Sequence, residues 1–451
     1  MTLRTVWTAL TMPRGRRWRT AAPKRVKRRQ QRGIAIIVVM IAIALTLVLT
    51  NQFSTSTTID LMAAANYRDQ MRANMLAHSA QNLAELVIRL QQRIDNIKEL
   101  RGKIQITDSA NMVVLAFCGS AAEVEDAVGM SGIKGLGADI GTCGVTQITT
   151  EDDKINVNCA NSTDATAATL KSALDALVFF PAYDPVFEEP DAEGWRRDRP
   201  LQVSSIVDYI DSNSIRNRER GTTEQYGYED LKDVYKPKNN YLDTLDELRL
   251  ARGVDDRFWM LFGHAFTVYG ACKTNLSALT NVQLIAAILY LTAKNPNDPM
   301  LLDPKRLFEL AALVGNAKSF GMQFTSVDDF VSFVKDPQSS VGMLAGQSGT
   351  AAGSAAGAAV AAGIPGLSGG QKLGMELDKA KLGQMATAGP RRTYRVETWG
   401  EIPRGTGDES AKSPFPPIRA TLTGVWDTKV VVQNARKTPA PKGAWVYQKE
   451  D

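Results

Sequence analysis

Between Gly33 and Ile59 the chain carries no charged residue, and Ile34–Leu49 is almost wholly aliphatic. A helix needs about 20 predominantly apolar residues to cross a bilayer, where each backbone polar group must be satisfied inside the helix itself. This run, with its Thr/Asn/Gln/Ser tail, reaches that length. The residues before it are equally one-sided, since positions 1–33 hold eleven Lys and Arg and no acid. Basic flanks keep their side of a span in the cytoplasm, so the expected topology is a single pass with the leader inside and Asp60 onward exported. A cleaved signal peptide would have a shorter apolar stretch ending in small-x-small, where this chain has Asn51-Gln52-Phe53. The leader cations exceed the whole formal charge of +5 and leave −6 on the rest of the chain. A nucleic-acid binder keeps its cations on the folded body, so the expected contact is membrane lipid and no nucleic acid.

The helix is expected to outrun the membrane. No Gly or Pro occurs from Ile34 to Arg101, and apolar residues recur at Met71, Met75, Leu83, Leu86, Leu90 and Ile94 with helical spacing. Such a helix would be roughly 95–100 Å long. An amphipathic stalk is marginal alone, so its face needs a docked domain or partner helices. The partner face is expected around Leu83, Leu86, Leu90 and Ile94.

A basic leader, a Gly and an aliphatic helix that becomes amphipathic resemble the type IV pilin and type II secretion pseudopilin family. The matching junction is Arg32-Gly33-Ile34-Ala35-Ile36-Ile37-Val38. The resemblance implies cleavage by prepilin peptidase between Gly33 and Ile34, with methylation of the new N-terminus. Most members begin with Phe and carry Glu at the fifth position; here those places hold Ile34 and Val38. A missing Glu resembles the minor pseudopilin K branch, whose large subunit sits at the pseudopilus tip. A carboxylate in hydrocarbon is costly without a partner, and a subunit with no neighbour above it has less need of one. Further matches are Asp153-Lys154-Ile155-Asn156-Val157-Asn158, Asp208-Tyr209-Ile210-Asp211-Ser212-Asn213 and Asn239-Asn240-Tyr241-Leu242-Asp243-Thr244-Leu245-Asp246-Glu247-Leu248, in the branch's order. The implied partners are minor pseudopilins I and J, the major pseudopilin and an inner-membrane assembly platform. The implied location is the bacterial inner membrane, with the head in the periplasm.

Six parts follow along the chain. Residues 1–33 are the leader and 34–101 the transmembrane and stalk helix. Residues 102–160 are the first part of the head, with a strand expected at Val145–Thr149. Residues 161–337 show helical spacing, as in Leu170–Leu177, Val282–Leu291 and Lys305–Val314. Residues 338–391 are rich in Gly, Ala and Ser and read as a flexible linker. In 392–451, Thr393–Gly400 and Ile418–Trp426 alternate as strands do. The expected fold is α+β, a pilin-like α/β head with a mainly helical domain inserted. The resemblance implies the same arrangement.

Catalytic chemistry finds little material. Leu367-Ser368-Gly369-Gly370-Gln371 spells an ATPase signature, but no phosphate-cradling G-x-x-x-x-G-K-[ST] accompanies it. Gly135–Gly141 lacks the strand–helix context of a dinucleotide site. The two histidines, His78 and His264, cannot build a triad or a His-based metal centre, and the chain is read as no enzyme. Asp208, Asp211, Asn213 and Glu224 place hard oxygens close together, which suits Ca²⁺ outside the cell, and the resemblance implies a calcium-stabilised loop there. The spacing is not that of an EF-hand, and a loop salt-bridged by Arg216, Arg218 and Arg220 is the alternative. Cys118, Cys143, Cys159 and Cys272 fit no zinc spacing and are expected to form disulfides, with three connectivities open. Two other functions fit the same N-terminus: a minor pilin of a type IV pilus, or an uncleaved, membrane-anchored periplasmic binding protein.

Overall fold

The computed structural model describes residues 34–97, 100, 104–120, 124–126, 129, 141–191, 194–195, 198–217, 223–225, 227–229, 231–319, 324–337, 373–404, 416–431 and 442–450. The leader with Gly33, the loop residues Arg218, Arg220 and Gly221, and most of the Gly/Ala/Ser tract lie outside them. The chain forms two compact units, Met1–Tyr67 and Arg68–Asp451.

One helix, α1 (Ile34–Asp95), supplies all the described structure of the first unit and the start of the second. It ends at Asp95, nearly two turns before the expected boundary at 101. Its opening stretch is long and apolar enough to cross a membrane and is wholly exposed. The Thr-rich tail is helical as well, and its hydroxyls are satisfied by carbonyls of the preceding turn. Thr50 donates to Thr46 O at 2.7 Å, and Thr55 donates to Asn51 O at 2.9 Å.

In the second unit, helix α2 (Ala110–Cys118) precedes strand β1 (Thr142–Thr150). Strands β6 (Thr393–Ile402), β7 (Ile418–Val431) and β8 (Lys442–Glu450) complete a four-stranded antiparallel sheet in the order β1-β6-β7-β8. The expected strands at 145–149, 393–400 and 418–426 fall within β1, β6 and β7. Strand β8 was not anticipated.

The later half of α1 lies on this sheet through a stripe of small residues. Ala73, Ala77, Ala80 and Ala84 are fully buried. Their spacing keeps them on one side of the helix, so the backbones approach closely. A Cβ at Gly400 of β6 would sit 2.1 Å from Ala73 O and 2.6 Å from the Ala77 nitrogen. Thr398 Oγ1 donates to Ala77 O at 3.2 Å. Further along, Trp445 Nε1 donates to Glu85 Oε2 at 3.0 Å, and the Arg89 guanidinium lies 4.9 Å above the Trp426 ring. Buried Ile88, Val114, Val145, Tyr394 and Val396 belong to the same core cluster, and the Cys118–Cys143 disulfide ties α2 to β1. The stripe places Leu83 half-buried against the core, so the expected partner face is corrected: Leu86 and Leu90 point outward, while Leu83 faces the sheet.

Between β1 and β6 the chain builds a second, mainly helical core. Its elements are β2 (Ile155–Asn156), α3 (Asp164–Val178), α4 (Arg199–Ile210), β3 (Phe266–Thr267), β4 (Thr274–Asn275), α5 (Val282–Thr292), α6 (Pro304–Ser319), α7 (Val327–Lys335), α8 (Lys379–Met385) and β5 (Ala386–Thr387). Capping side chains fix several starts: Asp198 accepts from Leu201 N, Asn281 from Gln283 and Leu284 N, and Ser326 forms a capping box with Asp329. β2 pairs with β3 and β4 with β5, both parallel, and Cys159–Cys272 spans this region. The core runs from Ile155 to Ala386, which moves two expected boundaries. Residues 155–160 pack with the inserted helices, not with the sheet. Residues 373–391 are not linker: Leu373, Met375 and Leu377 are buried, and Asp378 caps α8.

The two crossings into the sheet meet in a polar joint. The Glu151 N–H donates to Thr393 O at 3.0 Å, and the Asp152 carboxylate accepts from the Arg392 and Thr393 N–H groups. Burial alone would raise the Glu151 pKa, but Lys154 and Arg395 outweigh it and hold the carboxyl below its ordinary range. Arg392 grips Asp427 with three charge-assisted bonds, from Nε at 2.9 and 3.1 Å and from Nη2 at 2.7 Å.

Because Gly400 faces helix backbone that cannot yield, Gly400→Ala should cost about 1–3 kcal/mol. The control Gly383→Ala, with nothing within 4 Å of its Cβ, should be neutral or slightly stabilising. Thermal melts of the detergent-solubilised chain check the pair. A Gly400→Ala protein that melts with the unsubstituted one would refute the close-packing account.

Candidate functional site

An acidic pocket forms where α4 ends. Asp208 lies in its last turn and Asp211 is its C-cap residue. An antiparallel bridge between Ile215 and Thr223 brings Glu224 beside the helix end. One oxygen from each of Asp208, Asp211 and Glu224 lies within 4.8 Å of the other two, and all three residues are buried. Like charges so close in a poorly hydrated site cannot all stay ionised unaided. Burial first, and then the charges of Asp211 and Asp208, push Glu224 up to about 8. Burial, with Asp211 adding to it, pushes Asp208 up to about 6 against the hydrogen bonds from Asn217. Asp211 is raised as well, mainly by burial.

Two asparagines that were not anticipated finish the pocket. Asn217 donates its backbone N–H to Asp208 Oδ1 at 3.0 Å and its amide to Asp211 Oδ2 at 3.1 Å. Asn239 donates to Glu224 Oε2 at 2.7 Å from a backbone φ of 48°, a conformation Asn tolerates better than most residues. The predicted Asn213 plays a different part. Its side-chain oxygen accepts from the Ile215 N–H at 2.8 Å and shapes the turn. The Asp211 and Glu224 carboxyls also interact with each other, while Asp211 Oδ1 and Glu224 Oε1 receive no side-chain amide.

Three buried carboxyls with ligand atoms this close form a donor set of hard oxygens that fits a divalent cation such as Ca²⁺. Asp208, Asp211 and Glu224 would hold it, with side-chain amides at hand. The other sequence candidates lie elsewhere. His78 Nε2 is 3.0 Å from Glu450 Oε1, and the exposed His264 bonds Gln283. The four cysteines are consumed in Cys118–Cys143 and Cys159–Cys272.

Calcium should therefore raise the melting temperature, by the equivalent of about 2.7 kcal/mol at a hundredfold excess over Kd. Asp211→Ala should abolish the rise. The sign with pH follows from the raised Glu224 pKa. The cation-free fold binds more protons than the unfolded chain between the ordinary 4.5 and about 8, so its stability falls as pH rises through that window. The calcium increment should accordingly be larger at pH 8 than at pH 6. Melting that EDTA leaves unchanged would reduce the pocket to a proton-sharing turn.

No family model matches the chain, and no curated protein matches it. Among solved structures it is similar to the crystal structure of the GspK-GspI-GspJ complex from the enterotoxigenic Escherichia coli Type 2 Secretion System. The sequence identity is 12% and the TM-score 0.46, over 87% of this chain and 99% of that one.

Proposed function

We propose that this chain is a non-enzymatic minor pseudopilin of a type II protein secretion system, anchored in the inner membrane by one helix with its head in the periplasm. The observation that carries the proposal is α1 itself. An unbroken helix of 62 residues begins as an exposed apolar span and continues as the alanine-striped support of an antiparallel sheet. Anchor and head thus share one continuous helix, without a Gly/Ser- or Pro-rich linker between them.

Two details favour the filament tip. Val38 leaves no carboxylate in the apolar run, so the chain offers nothing there for a neighbour's amine. The helical domain inserted between β1 and β6 adds bulk to the head, which would obstruct stacking of further subunits above it. The partners would be minor pseudopilins I and J above the major pseudopilin, with prepilin peptidase and the assembly platform acting earlier. Bound Ca²⁺ would stiffen the end of α4. An anchored binding protein would need a ligand pocket, and one cleft among the described residues is lined by Arg249, Arg252 and Asp255. Its volume is about 220 Å³, and its arginines are already committed, Arg249 to Asp256 and Arg252 to Asp191.

The mature chain should begin at Ile34. Co-expressed with prepilin peptidase, the unsubstituted protein should lose its basic leader, and Gly33→Leu should keep it, as read by N-terminal sequencing. Equal processing of the two forms would sink the assignment.

A further inference from the structure

We draw no further inference here: the strongest candidate, the surface patch of the inserted helical domain around Trp259 on which Leu250 and Met260 stand exposed, carries none because nothing in the structure shows what covers it.

Discussion

The contact between the α1 alanines and β6 at Gly400 governs the rest of the head. Ala73 and Ala77 let two backbones come so close that no Cβ fits at 400. That closeness fixes the height of the sheet on the helix, and Thr398, Trp445 and Arg89 set its lateral position. Small residues on the helix, with glycine on the strand, achieve this without a large side chain that could hop between rotamers. The outer side of the same helix is thereby left free to carry large apolar groups.

The inserted domain hangs from this scaffold by a joint that is polar where the two cores are apolar. The core around Ile88 and the one spanning Ile155 to Ala386 are separate clusters. Glu151, Asp152, Arg392 and Arg395 stand between them. Removing one member would strand a buried charge, a penalty well above that of losing an exposed ion pair. The joint therefore specifies an orientation without merging the cores. The acidic pocket sits beyond it, at the end of α4, where a cation would order the loop without touching the sheet.

Much of this was legible in the sequence. The absence of Gly and Pro announced α1, and two-residue alternation announced β1, β6 and β7. Strand β8 escaped because it is an edge strand with Lys442, Lys449 and Glu450 at its ends, so its apolar signal is diluted. Residues 373–391 escaped because they adjoin the Gly/Ala tract, although Leu373, Met375 and Leu377 already alternate into a core. In the pocket, the carboxylates were found by their crowding along the chain, but Asn217 and Asn239 depend on how the loop closes and return by tertiary contact. Disulfide pairing was equally beyond spacing, since Cys159 and Cys272 are 113 residues apart. The inward turn of Leu83 reflects the sheet choosing the alanine face over the leucine face, a decision periodicity cannot make.

The proposed place of this chain at a filament end rests on Val38 within the apolar run and on the helical domain inserted between β1 and β6. Quantitative mass spectrometry on isolated pseudopili of different lengths addresses this most directly. A chain at the filament end should be present in one copy, so that its ratio to the major subunit falls in inverse proportion to length. A constant ratio would contradict it and make the chain a repeating component of the fibre.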